Sequence, residues 1–154
     1  MSRRGQIRMT PDEVRTFLDE QRVANVATIG PNGRPHVVPV WYLPHDDGVA
    51  TWTYRTSQKV ANLRRLAQAT VLVEAGDSYE ELSGVSMECD VEIIDDPERV
   101  LEIGSGLTKR YSSVGAPTEE LTEFLRAQAT KRVGLVCTPT KTVSWDHGKL
   151  GGTY

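Results

Sequence analysis

The hydrophobic positions along this chain repeat first at helical spacing and then in alternation, and each change of period marks a new element. Val14, Phe17, Leu18 and Gln21 fall three and four residues apart, which predicts a helix over residues 10–22. Its start is legible: Thr10 as cap, Pro11 at the first helical position and Glu13 at the third form a capping box. Residues 23–29 (VANVATI) predict a strand, and Pro31-Asn32-Gly33 a hairpin turn. Residues 34–43 alternate, with His36, Val38 and Val40 on one face and Val37, Pro39 and Trp41 on the other. Pro39 has no N–H for a ladder, so the strand bends or lies at an edge there. Such a place leaves backbone groups free for a ligand, or is simply an edge or bulge.

Residues 44–48 read as a polar turn. The strand over 49–54 sets Trp52 and Tyr54 opposite Thr51 and Thr53. A helix over 57–67 shows Val60, Leu63, Leu66 and Ala67 on one side. A short strand (71–75), a polar loop (76–81) and a long strand (82–94) follow, with Gly84 expected as a bulge or bend. Asp96-Pro97-Glu98 opens a helix whose Val100, Ile103, Leu107 and Tyr111 share a face. Residues 112–117 break it, and 118–130 form another with Leu121, Phe124 and Leu125 inward. Residues 132–146 read as two strands broken at Pro139, before a glycine-rich tail. Short hairpins in this order favour an antiparallel barrel over a βαβ sheet. The expectation is one domain over residues 1–154, mainly β with flanking helices (α+β), with 1–9 a flexible N-terminus.

The formal net charge of −3 argues against a general nucleic-acid binder, which needs a positive surplus. A local basic patch on an acidic chain suits a small anionic ligand. Cys89 and Cys137 form no C-x-x-C pair, so no zinc or dithiol motif is present, and both read as buried apolar residues. The opening MSRRGQIRM lacks an apolar h-region, and no run approaches the roughly 20 apolar residues that span a bilayer. A cytoplasmic protein with no membrane partner is expected. His36, His45 and His147 are not spaced as metal ligands, so no metal is expected. His36 reads as structural, and His147 as paired with Asp146 or a backbone group. No G-x-S-x-G or G-x-G-x-x-G is present, and Glu80, Glu81 and Glu88 make no evident paired-carboxylate site.

Positive charge and hydroxyls gather at one place. Thr53, Tyr54, Arg55, Thr56, Ser57, Gln58 and Lys59 lead from a strand into a helix start. Unpaired N–H groups and the positive end of the helix dipole add to Arg55 and Lys59, a combination that suits phosphate or carboxylate. Arg64 and Arg65 extend the run or form the solvated face of the helix.

These segments, GRPHVVPVWY, ATWTYRTSQKVANLRR, YEELSGVSMECDVEIIDDPE and SWDHGKLGGTY, resemble the flavin and deazaflavin oxidoreductases of the pyridoxamine-phosphate-oxidase-like family. The likeness runs from about Thr10 to Tyr154 and is nearest to the actinobacterial branch that uses the deazaflavin F420. It implies a six-stranded antiparallel split β-barrel of the FMN-binding, PNPOx-like type. It also implies a homodimer with two cofactor sites at the protomer interface. By the same resemblance, Pro39, Val40 and Trp41 lie beside the cofactor ring, largely through backbone. Thr53, Arg55, Ser57 and Lys59 hold the phosphate and tail, and Asn62 steadies the turn or is a surface amide. Trp145 and Lys149 are wall or tail contacts from the second protomer, or packing residues. The phosphodiester and glutamates of F420 call for several cations in a row, which Arg55, Lys59, Arg64 and Arg65 can provide.

No side chain is required as acid or base for hydride transfer, so no catalytic residue is named. Tyr79 either donates a proton to a reduced substrate or packs. The expected activity is an F420-dependent oxidoreductase acting on a small conjugated or aromatic substrate. The alternatives are an FMN-dependent oxidoreductase of the same fold and a non-catalytic F420 carrier.

Overall fold

A strand with one apolar face must set that face against a core. In this computed structural model, which describes residues 2–113 and 115–152, the strands do so within one antiparallel sheet. The ends of the expected domain, Met1 and Thr153–Tyr154, lie outside the described residues. β1 (Ala24–Ile29) pairs with β2 (Pro35–Val40) on one side and with β5 (Gln68–Ala75) on the other. β5 pairs with β6 (Ser83–Ile94), and β6 with β7 (Arg132–Asp146). β7 pairs with β4 (Gly48–Tyr54), which carries β3 (Leu43–His45) at the far edge.

The order is therefore β2-β1-β5-β6-β7-β4-β3, and the sheet curls into a half-barrel of seven strands, not the expected six. Leu43 to His45, placed in a turn or at a strand end by pattern, pair with Gly48 to Ala50 instead. The reversal needs just Asp46 and Asp47, with Asp46 in the left-handed region at φ 47°. Residues 132–146 form one strand where two were expected. β4 stops pairing at Cys137, so Pro139 sits where β7 has no β4 partner to receive its missing N–H. Just beyond, the register passes over Thr140, whose hydroxyl donates to the Glu88 carbonyl at 3.1 Å. The bulge expected at Gly84 is thus at Thr140. Gly84 keeps register with Trp145, and a Cβ there would stand 2.4 Å from the Trp145 ring.

The inner face carries Val26, Val71, Val73, Val85, Met87, Val133 and Leu135, all fully buried. Two helices close it: α2 (Pro11–Glu20) through Phe17 and Leu18, and α3 (Gln58–Arg65) through Val60 and Leu63. The capping box of α2 forms as predicted, with Thr10 and Glu13 each accepting the other's backbone N–H. Leu66 and Ala67 fall beyond α3 and are exposed, because Leu66 already has an extended backbone. Ahead of α2, α1 (Arg3–Gln6) buries nothing. The following residues are held by Asp146 N–H donating to Ile7 O (2.7 Å) and Met9 N–H donating to Ser144 Oγ (3.1 Å).

On the outer face, α4 (Pro97–Tyr111) and α5 (Glu119–Ala129) pack against Ile94, Trp52 and Val136. Leu121, Leu125 and Ala129 recur every four residues and form the packed stripe of α5. Phe124, expected inward, lies beside that stripe and is 59% exposed. Burial pushes the Cys89 and Cys137 thiols up to about 11 and about 12, which keeps them protonated. Among the described residues, no helix is long and apolar enough to cross a membrane.

Candidate functional site

β4 ends at Tyr54, and the chain turns at once into α3. Ser57 caps the helix, its hydroxyl accepting from Val60 N–H at 3.4 Å. That places Lys59 in the first turn, directed back at β4. Its Nζ donates to Thr53 Oγ1 at 2.6 Å. Lys59 is half-buried, and this burial lowers its pKa from the ordinary 10.5. No carboxylate among the described residues pairs with it.

Two arginines flank the turn and share one acid. Arg55 Nη1 and Arg64 Nη2 lie 3.5 and 3.3 Å from the same oxygen, Asp95 Oδ1. All three side chains are about half exposed, so these pairs contribute little to stability. Lys59 and Arg55 therefore stand at the β4–α3 turn, and Arg64, from the last turn of α3, shares the one carboxylate with Arg55. Arg65 is not among them, because its guanidinium donates to the Ile29 carbonyl at the end of β1.

Asn62 is fully buried rather than a surface amide. Its Nδ2 donates to Thr28 Oγ1 at 3.0 Å, and its Oδ1 accepts from Gln58 Nε2 at 2.8 Å. It anchors α3 to β1 beneath the turn and does not itself face a ligand.

Pro39 lies exposed on β2, an edge strand of the sheet. β2 stops at Val40, and the Trp41 carbonyl accepts from Thr51 Oγ1 at 2.7 Å. Thr51 and Thr53 share one face of β4, about 7 Å apart along the strand. One strand thus links the Trp41 carbonyl to the Lys59 ammonium. The Trp41 ring turns elsewhere: it stacks on Tyr111 of α4, with centroids 4.7 Å apart and planes within 7°. Tyr111 is held in turn, its hydroxyl accepting from Tyr42 N–H at 3.0 Å.

Beside this stack, between β4, α4 and α5, opens a cleft of about 560 Å³ bordered by Val40, Trp41, Trp52, Phe124 and Arg132. Trp52 can lie flat against α4 because Gly104 faces it; a Cβ there would stand 2.2 Å from the ring.

The structure so brings Thr53, Arg55, Ser57 and Lys59 together around one turn, over Asn62, and joins them along β4 to Pro39, Val40 and Trp41. It does not bring Trp145 and Lys149 to them within the protomer. Trp145 lies near the opposite end of the 15-residue β7 from Arg132, over Gly84. Lys149 Nζ donates to Glu13 Oε2 at 2.6 Å and to Arg8 O at 2.8 Å, and Lys149 holds the Glu13 carboxyl below its ordinary range. His147 Nδ1 is 2.8 Å from the Tyr79 carbonyl, a backbone group as expected. Among the described residues, no three His, Cys, Asp or Glu side chains gather as a metal site would require.

Pattern reading missed Asp95 and Arg132. Asp95 stands beside the stronger signal of the Asp96 cap. Arg132 opens a strand whose apolar alternation draws attention to the other face. Neither carries a local mark of its partners, which lie on distant elements.

The family profile for pyridoxamine 5'-phosphate oxidase matches residues 10–145. No match was found among curated proteins. Among solved structures, the chain is similar to the conserved hypothetical protein Rv2991 from Mycobacterium tuberculosis. The two are 36% identical over 100% of this chain and 95% of that one, with a TM-score of 0.90. An F420 reductase shares the fold at 21% identity, with 86% and 98% of the two chains covered and a TM-score of 0.66. An FAD-binding protein from Mesorhizobium loti does so at 18% identity, with 88% and 94% covered and a TM-score of 0.67.

Proposed function

The chain belongs to the pyridoxamine 5'-phosphate oxidase family, and from that membership we propose that it is an F420-dependent oxidoreductase acting on a small conjugated or aromatic substrate. The observation that carries the proposal is Lys59. A half-buried ammonium without a carboxylate, held by one threonine hydroxyl at a helix start, is a group arranged for an anion that arrives from outside. Arg55 and Arg64 share one half-exposed Asp95, and Arg55 adds only a long 3.4 Å bond to the Arg132 carbonyl, so both can turn toward the same anion at little cost.

When bound, the cofactor supplies the hydride chemistry. The residues of this chain bind and orient it. Lys59, Arg55, Thr53 and Ser57 hold the phosphate end, and Asn62 keeps the turn in place from below. The exposed edge at Pro39, Val40 and Trp41 offers backbone for the ring. The row from Arg55 to Arg64 favours the longer anionic tail of F420 over the single phosphate of FMN. The FMN reading stays in view because the fold is shared with an FAD-binding protein.

The site is completed, in this reading, by a second copy of the chain. Trp145 lies too far along β7, and Lys149 in the turn beyond its end, to reach their own cationic turn, so in this reading any contact they make to the cofactor comes from the partner in a homodimer. A monomer by light scattering that still bound cofactor tightly would contradict this.

Equilibrium binding of the cofactor-free protein to F420 and to FMN, side by side at two salt concentrations, tests the proposal. Tight, salt-sensitive F420 binding with weak FMN binding supports it. Preference for FMN moves the protein to flavin chemistry, and binding of neither refutes the cofactor assignment.

A further inference from the structure

The outer face of β4 carries a second arrangement that the anion turn does not use. Arg132 faces outward at the start of β7, opposite Tyr54. Its guanidinium carbon lies 4.7 Å from the Trp52 ring centroid and 4.1 Å from that of Tyr54. Two aromatic faces therefore cover the guanidinium and fix its orientation. Its hydrogen bonding is nearly unused. One Nη2 contact reaches Gln128 Oε1 at a long 3.5 Å, and the buried Nε has no partner. No carboxylate lies within pairing distance among the described residues.

This arginine borders the 560 Å³ cleft between β4, α4 and α5, a volume within the ordinary range for small-molecule sites. The rest of the wall is apolar or uncharged. Trp41 stacked on Tyr111 presents a flat rim, and Phe124 stands exposed at the opening. A cation would be repelled by Arg132, and a neutral hydrocarbon would leave its N–H groups unfilled. A polyphosphate would need more than one cation. A planar ring bearing one carboxylate satisfies both parts: ring against the aromatic walls, carboxylate on the in-plane fork of the guanidinium.

We infer that the cleft between β4, α4 and α5 is a binding site for a planar aromatic carboxylate, with Arg132 holding the carboxylate. Val40, Trp41 and Thr51 also line the cleft, so it adjoins the edge assigned above to the cofactor ring, and its place beside the cofactor rests on that reading.

Calorimetric titration with 2-naphthoate as probe tests it, with the uncharged 2-naphthamide as its isostere. The wild-type chain is expected to bind the acid at least about tenfold more tightly than the amide, the lower end of a charge-assisted hydrogen bond. Arg132→Gln is expected to remove that preference. Should Arg132→Gln fail to fold, Phe124→Asp places a repelling carboxylate at an exposed lip position and is expected to weaken the acid more than the amide. Lys59→Met, at the anion turn and bonded only to Thr53, is expected to leave the acid's affinity unchanged.

Absence of saturable 2-naphthoate binding to the wild type would overturn the inference. So would equal binding of acid and amide, or loss of acid binding on Lys59→Met rather than Arg132→Gln. Titrating F420 against the same proteins keeps the two readings apart, since failure of the cleft leaves binding at Lys59 intact.

Discussion

Replacing Lys59 by methionine separates a functional charge from a structural one. The ammonium has one hydrogen bond, to Thr53 Oγ1 at 2.6 Å, and no ion pair among the described residues. Its pKa is lowered by burial, so the folded chain holds the protonated form less readily than the unfolded chain does. Below both pKa values the wild type therefore carries a penalty that methionine, of similar length, removes. Against this stands the lost bond to Thr53, worth about 0.5–1.5 kcal/mol. The two oppose each other, and Lys59→Met is expected to leave unfolding free energy at pH 7 within about 1 kcal/mol of wild type.

Anion binding should respond quite differently. Loss of one charge-assisted hydrogen bond removes roughly 1.5–3 kcal/mol, or about 10- to 150-fold in affinity for F420. The pH dependence has a definite sign. A bound anion favours the protonated amine, so wild-type affinity falls as pH rises through the lowered Lys59 pKa, below 10.5. Over the window from that lowered pKa up to 10.5, the unfolded chain binds more protons, so wild-type stability rises relative to Lys59→Met. Urea unfolding and fluorescence titration of F420 from neutral to alkaline pH read both quantities. A variant that loses more than about 2 kcal/mol of stability yet binds F420 as wild type would show that Lys59 is a packing residue, and the reasoning would fail.

Asn62→Ala breaks one buried and one part-buried hydrogen bond and strands the Thr28 hydroxyl, which is 1% exposed. The expected loss is about 2–3 kcal/mol, or a melting temperature lower by about 4–12 °C. Adding Thr28→Val should recover part of it, and strict additivity in the double variant would refute the coupling. Asp95→Asn releases Arg55 and Arg64 from their shared acid. Its F420 affinity is expected to rise about two- to fivefold at low salt and to converge on wild type at high salt. A fall in calorimetric affinity would mean that Asp95 positions the arginines rather than competing for them.

Local rules were legible wherever the partners are close in sequence. The caps read at Thr10 and Asp96 both form, because each side chain needs only an N–H three residues on. Alternation in β2 and β4 set Val37 opposite Val38 and Thr51 and Thr53 opposite Trp52, because successive side chains of a strand leave on opposite faces; the fold decided which face is buried. The clustering of charge and hydroxyls from Thr53 to Lys59 is likewise a property of adjacent residues.

Other features depended on elements that meet only in the fold. Asn62 is buried because β1 brings Thr28 beneath α3. Pro139 continues a strand because the β4–β7 pairing ends at Cys137, and Gly84 stays in register because Trp145 covers it. Phe124 is exposed because a neighbouring stripe of α5 meets the sheet first. Asp95 gathers Arg55 and Arg64 from two separate elements. Arg132 gains its aromatic clamp from β4, and its cleft from α4 and α5. The sequence by itself determined the periods, the caps and the place of the cationic turn, which short-range sterics and hydrogen bonds control. Burial and charge pairing between distant residues were decided by tertiary structure alone, because packing selects the partner and the side-chain period only selects the face.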